Sequence, residues 1–229
     1  SLLGGSVVDA VDRRRLLMVT ELLMAGCSAG LAVNADSLAT WFRNVLAEAA
    51  TWDDTVLRLE VEDQAHSHEL LRRGETLAAV TSDPEPVQGC SVEPLGTMRY
   101  LAAAAPALLE RSGAREPDWR RMPVVVFNAK DTLQHDLLAE VGVAVGHEPP
   151  THRVPTSTDF LEAVVLGLGW GMVPETQLLP LEATGRLVRL RPDRPVDVPL
   201  HWQRWRLDSL LLGRVTEAVR RAGSAHLRR

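Results

Sequence analysis

Asn34, Asp36, Ser37 and Thr40 crowd into seven residues directly behind the apolar run Leu31-Ala-Val33. An apolar run that stops at polar residues reads as a strand delivering a turn. Asp36 and Ser37 are both good N-cap types, so a helix is expected to start there with unpaired backbone N–H groups aimed out of the strand end. Such an end attracts small anions such as carboxylates, while Asp36 supplies an acid for a cationic group. The chemistry offered is recognition of a small polar molecule. For Asp36, a plain helix cap and a ligand contact both remain open at this level.

Further polar residues fall at comparable places. Thr81 closes the strand pattern at 77–81, Asn128 closes the one at 124–128, and Thr156 with Ser157 opens a helical pattern, with Asp131 and Asp159 close by. Capping alone also accounts for Thr156 and Ser157. Enzyme signatures are weak, and no catalytic residue, cofactor or metal is expected. The string Gly167-Leu-Gly-Trp-Gly171 follows a helix and precedes a strand, the reverse of the order that cradles phosphate. His66-Ser-His68 lacks the further ligand nearby that a zinc site needs, and no G-x-S-x-G occurs.

The elements that must position these residues follow from periodicity. Strands are expected at 31–34, 55–62 and 77–81, with helices at 38–49 and at 66–73, the latter closed by Gly74. That β-α-β-α-β order points to a parallel sheet, whose ligands collect at the carboxyl ends of the strands. An extended run over 90–104 and a charged helix over 106–121 follow. A second alternation then comprises strands at 124–128, 152–154, 170–173 and 187–190 and helices at 131–141, 159–167 and 176–183. A return strand at 200–207 and a closing helix capped by Asp208 complete an α/β chain of two lobes with two crossings, near 101–106 and 195–201. Trp41, Trp202 and Trp205 read as core.

Composition sets the outer limits. The chain has 229 residues and is 45% apolar, enough for one large domain or two lobes. Thirty acidic against 25 basic residues leave a net charge of −5, without the basic excess of a phosphate-neutralising module. Cys27 and Cys90 form no C-x-x-C pair, which suits a reducing cytoplasm. Arg13-Arg14-Arg15 followed by an apolar run to Gly26-Cys27 imitates a lipoprotein export signal, but Glu21 interrupts the run. A bilayer span needs about 20 largely apolar residues, so no membrane role is expected.

Several strings together carry a family resemblance: residues 31–41 (LAVNADSLATW), Glu62-Asp63-Gln64, Leu70-Leu71-Arg72-Arg73-Gly74, Gly96-Thr-Met-Arg-Tyr100, residues 167–174 (GLGWGMVP) and Leu200-His-Trp202. Over residues 31–222 the chain resembles the effector-binding region of LysR-type transcriptional regulators, in particular the lysine- and arginine-responsive branch that controls basic amino acid export. The resemblance implies two Rossmann-like lobes of the type II periplasmic-binding-protein kind, with an effector between them. Lobe I would take residues 29–103 and 200–229 and lobe II residues 104–199. Residues 1–28 would be the remnant of a linker helix or an unstructured lead.

It also implies a homodimer or tetramer, in which the helix after Ser37 and the strand at 55–62 pack on a partner. DNA would be bound only through a winged helix-turn-helix not present in this chain. A basic amino acid offers a carboxylate, an α-ammonium and a distal cation. Ser37 with its helix start, Thr156 and Ser157 suit the carboxylate, and Asp36 suits an ammonium. Thr81 and Asn128 would face each other across the cleft, and Asp131 or Asp159 would hold the distal cation. The full expected set is Asn34, Asp36, Ser37, Thr40, Thr81, Asn128, Asp131, Thr156 and Ser157. An exported solute-binding lipoprotein of the same fold, anchored at Cys27, is the alternative.

Overall fold

The computed structural model describes residues 28–61, 67–112, 117–128, 132–144 and 146–229. The Arg13-Arg14-Arg15 and Cys27 stretch, the linker-helix expectation, Glu62, Asp63, Gln64, His66 and Asp131 lie outside the described residues.

The chain sorts into two compact units. The first holds residues 28–34 with the described parts of Trp41–Leu95 and Leu200–Ala225. Its strand β1 (Ser28–Val33) pairs in parallel with β2 (Val56–Val61) and with β3 (Ala78–Thr81). Parallel neighbours need a crossover, supplied by helices α2 (Arg43–Ala49) and α3 (Ser67–Arg73). The side-chain patterns explain the places. β3 is buried throughout, whereas β2 mixes charge with Val56 and Val61, both more than half exposed, and lies at the edge. α3 stops as its sequence requires. Gly74 adopts φ 71°, and the Gly74 and Glu75 amides donate back to the Leu71 and Leu70 carbonyls, each at 2.9 Å.

The helix expected over 38–49 is two pieces, α1 (Ala35–Ala39) and α2, separated by a turn. Thr40 interrupts it: its hydroxyl donates to the Asp36 carbonyl at 2.5 Å and its amide to the Ser37 carbonyl at 3.2 Å, tightening the last turn. α1 also begins earlier than expected, at Ala35, so Asp36 and Ser37 occupy its first turn rather than the cap position.

β3 also pairs, antiparallel, with β9 (Val196–Trp205), matching Val80 with Trp202 and Thr81 with His201. β9 starts four residues ahead of the expected return strand and carries Pro199 within it. The closing helix α8 (Leu210–His226) is capped by Ser209, which accepts from the Leu212 amide at 3.3 Å, and not by Asp208. Its buried stripe of Leu211, Leu212, Val215, Ala218, Val219 and Ala222 matches the helical period. Trp202 is fully buried and donates from Nε1 to the Thr216 hydroxyl at 3.1 Å.

Ala32, Leu71, Ala79 and Cys90 form one apolar cluster of this unit, with Trp205 against it. Burial pushes the Cys90 thiol up to about 11. The thiolate is the reactive species, so iodoacetamide at about pH 8 is expected to leave Cys90 unmodified until the chain is unfolded. Peptide mapping before and after urea checks this. Rapid labelling of Cys90 in the folded chain would contradict it.

The second unit comprises Ala35–Thr40, Gly96–Pro199 and His226–Arg229. The chain enters it through β4 (Cys90–Ala104), which passes from one unit to the other between Leu95 and Gly96. β4 pairs antiparallel with β7 (Gly171–Pro174) and β8 (Val188–Arg189). Helix α4 (Pro106–Ser112) is shorter than the expected 106–121, and from Pro117 the chain is in turns. β5 (Val124–Val126) and β6 (Thr151–Arg153) pair in parallel across α5 (Leu133–Glu140), which ends near Gly142 at φ 82°. Helices α6 (Ser157–Val165) and α7 (Glu175–Ala183) flank β7 in sequence. The core gathers Leu101, Val125, Phe160, Val164, Val173, Leu178 and Leu187. Gly171 is required there, since a Cβ would come within 2.7 Å of the Phe160 ring.

The last residues dock on β4. Thr97 and Arg228 exchange backbone bonds of 2.7 and 3.0 Å, and Gly96, at φ 138°, leaves room for Leu227 and the Arg228 carbonyl. Arg228 forks onto Glu175 at 2.8 and 2.9 Å, and Arg99 forks onto Asp197 at 2.7 and 2.6 Å. The Arg99 guanidinium holds the Asp197 carboxyl below its ordinary value. A carboxyl whose folded pKa lies below its unfolded one adds stability that is present above the unfolded pKa and is lost as pH falls through the folded one. Asp197→Asn is therefore expected to lower the urea midpoint slightly at pH 7, in keeping with a partly exposed pair, and by less at acid pH, where the carboxyl takes up a proton in the folded state. An equal deficit at neutral and acid pH would assign the effect to packing.

Candidate functional site

Asp36 is the centre of the constellation. Its carboxylate accepts from the Tyr100 hydroxyl at 2.9 Å on Oδ2 and from the Ser157 hydroxyl at 2.5 Å on Oδ1. Three elements of one unit supply these groups: α1 brings Asp36, β4 brings Tyr100, and the first residue of α6 is Ser157. Tyr100 and Ser157 are buried, and Asp36 is partly exposed.

Local rules explain why α6 starts where it does. Thr156 has extended backbone (φ −131°, ψ 140°), and its hydroxyl accepts from the Asp159 amide at 3.2 Å. The same hydroxyl donates to the Asp159 carboxylate at 2.5 Å. Thr156 and Asp159 are thus engaged with each other at the exposed start of the helix, where an acid is favoured. Ser157, one residue on, points to Asp36 instead.

The remaining expected residues sit as follows. Ser37 is fully buried in the first turn of α1, and Thr40 closes that helix. Asn34 and Thr81 belong to the first unit, buried at the carboxyl ends of the neighbouring parallel strands β1 and β3. The Thr81 hydroxyl accepts from the Asp83 amide at 3.0 Å. Asn128 is half-buried two residues beyond β5.

Two contributors escaped the sequence reading. Tyr100 is the single tyrosine of the chain, yet it stood inside an extended apolar run and was given no role. The signal was there, because a buried tyrosine hydroxyl needs a partner. Gln203, fully buried on β9, accepts from the Val87 amide at 3.2 Å and donates to the Asp83 and Glu85 carbonyls at 3.1 and 2.8 Å. It shapes the loop behind Thr81.

The Tyr100 and Ser157 hydroxyls hold the two oxygens of the Asp36 carboxylate from two different elements, which fixes the plane of the group. Among the described residues, no group of three or more His, Cys, Asp or Glu is placed to hold a metal ion. No helix among them is long and apolar enough to cross a membrane.

The fold is that of an α/β regulatory domain of the type II periplasmic-binding-protein class, two lobes joined by crossing strands. Full-length LysG from Corynebacterium glutamicum with bound effector Arg superposes with a TM-score of 0.83 at 42% identity, over 95% of this chain and 76% of that one. ArgP from Mycobacterium tuberculosis superposes with a TM-score of 0.82 at 39% identity, over 94% and 77%. The lysine export transcriptional regulatory protein LysG of Corynebacterium efficiens is 50% identical over 200 residues, 86% of this chain and 68% of the relative. The LysR substrate binding domain matches residues 31–223. The chain belongs to the LysR family of transcriptional regulators, and within it its relatives include LysG and ArgP regulators.

Proposed function

We propose that this chain is the effector-sensing part of a LysR-type regulator, that it takes a basic amino acid, arginine or lysine, and that it controls transcription of an amino acid exporter. The observation that carries the reading is the Asp36 carboxylate, oriented by Tyr100 and Ser157, in a chain 42% identical to a LysG solved with arginine. Asp36 receives an ammonium group of the ligand, and Ser157 with Ser37 stands near its polar end. Asn34, Thr40, Thr81, Asn128, Asp131 and Thr156 complete the proposed set. Arginine can shift the conformational balance only by its differential affinity for the states involved.

In this reading the chain is not an enzyme, and it works in the cytoplasm as a homodimer or tetramer. It reaches DNA through a helix-turn-helix outside these residues, in keeping with a net charge of −5. Transcriptional regulators among the relatives weigh against the exported lipoprotein. Calorimetric titration of L-arginine and L-lysine is expected to give saturable binding of at least one. Absence of heat with both, at concentrations up to the millimolar range, would sink the ligand assignment.

A further inference from the structure

We propose that His201 contacts the effector directly, donating from Nδ1 to the carboxylate of the bound amino acid, a role that rests on the basic amino acid reading above. Strand register puts it in place. β9 runs antiparallel to β3, so the early part of β9 lies beside the carboxyl end of β3, and His201 stands directly opposite Thr81. Opposed residues share a face of the sheet, and alternation puts Gln203, paired with Ala79, on that same face. Ala79 is paired in turn with Ala32 of β1, two residues ahead of Asn34. Asn34, Thr81 and His201 thus mark one end of three adjacent strands of the first unit. It is the carboxyl end of the two parallel strands, where ligands of such sheets collect.

His201 differs from its neighbours on β9 in how its polar atoms are satisfied. Trp202 donates to the Thr216 hydroxyl, and the Gln203 side chain is used up on the Val87 amide and the Asp83 and Glu85 carbonyls. The Nδ1 atom of His201 is buried and meets no hydrogen-bond partner among the described residues, although the side chain as a whole is only partly buried. Trp205 Nε1 shares that condition, but its residue lies at the amino end of β3, where its amide donates to the Leu77 carbonyl. A buried polar atom is ordinarily paired, and one left open at the ligand end of a sheet fits a partner that comes from outside the chain. An imidazole can present an N–H at Nδ1, as an amide and a hydroxyl present theirs. None of the three residues is an acid, so this edge suits the carboxylate of a basic amino acid rather than either of its cations.

The test is calorimetric titration of the full 229-residue chain and of His201→Phe and His201→Asn, with melting temperature recorded for each. The probes are L-arginine and L-argininamide, whose carboxylate is replaced by a neutral amide, or the lysine pair where lysine alone binds. His201→Phe keeps a ring and loses both nitrogens, and is expected to weaken arginine about tenfold or more, the size of one hydrogen bond to a charged group. His201→Asn keeps an N–H near the place of Nδ1 and is expected to stay within about threefold of the parent. The amide is expected to bind the parent at least about tenfold more weakly than arginine. In the parent, the nitrogen NMR resonance of His201 Nδ1, assigned by its loss in the variants, is expected to move on saturation with arginine. Parent-like arginine affinity in His201→Phe, equal losses in both variants, an unmoved Nδ1 resonance, or argininamide binding as tightly as arginine would each overturn the role of His201 and leave the effector reading intact. A parent chain that binds neither arginine nor lysine would overturn both.

Discussion

Asp36→Ala is expected to lower the affinity for arginine by about a hundredfold or more, because truncating one partner of a hydrogen-bonded charge pair costs about 2–5 kcal/mol. Part of that cost comes from what the substitution leaves behind. The hydroxyls of Tyr100 and Ser157 would lose the acceptor they share, and a hydrogen bond to a charged group contributes about 1.5–3 kcal/mol. The melting temperature should therefore fall modestly along with the affinity. Asp36→Asn separates the two effects, since an amide keeps an acceptor for one hydroxyl but carries no charge. It should bind arginine nearly as poorly as the alanine variant while melting closer to the parent. Arginine affinity unchanged in both variants would remove Asp36 from the site, whatever happened to stability.

The largest expected loss of stability comes from Trp202→Ala, at about 3–5 kcal/mol. Trp202 is completely buried on β9, opposite Val80 of β3, so its removal opens a cavity against α8 rather than exposing a surface. It also strips the Thr216 hydroxyl of its donor, although that hydroxyl still donates to the Leu212 carbonyl at 2.7 Å. Typical domains are stable by about 5–15 kcal/mol, so the variant should be marginal, with a urea midpoint well below that of the parent. Trp202→Phe keeps most of the ring volume and should lose much less. Similar midpoints for the alanine variant and the parent would mean that the β9 and α8 packing contributes little to the measured transition.

Much of the architecture was legible because it is written in short-range patterns. The β-α-β-α-β order, the buried stripe of α8 and the stops at Gly74 and Gly142 all follow from spacing within one or two turns. The misreadings share one origin. A helix over 38–49 is reasonable by periodicity, but the Thr40 hydroxyl competes for a backbone carbonyl and breaks it. Asp208 and Ser209 are both good caps, and propensity alone does not choose between neighbours.

The site divides along the same line. The types at 34–40 and at 156–157, with their helix starts, pointed to a small polar ligand, and the motif strings were sufficient to place the chain in its family. What only the folded chain decided is who meets whom. Asp36 is joined to Tyr100, 64 residues away, and to Ser157, 121 residues away, while Gln203 reaches 120 residues back to shape the loop behind Thr81. No local propensity specifies such pairs. They arise from strand register and from the packing of α1 against α6, which bury hydroxyls and an amide and then oblige each to find a partner. For Asp36, cap and ligand contact looked equal in one dimension, and in the folded chain its carboxylate accepts from two hydroxyls of its own unit.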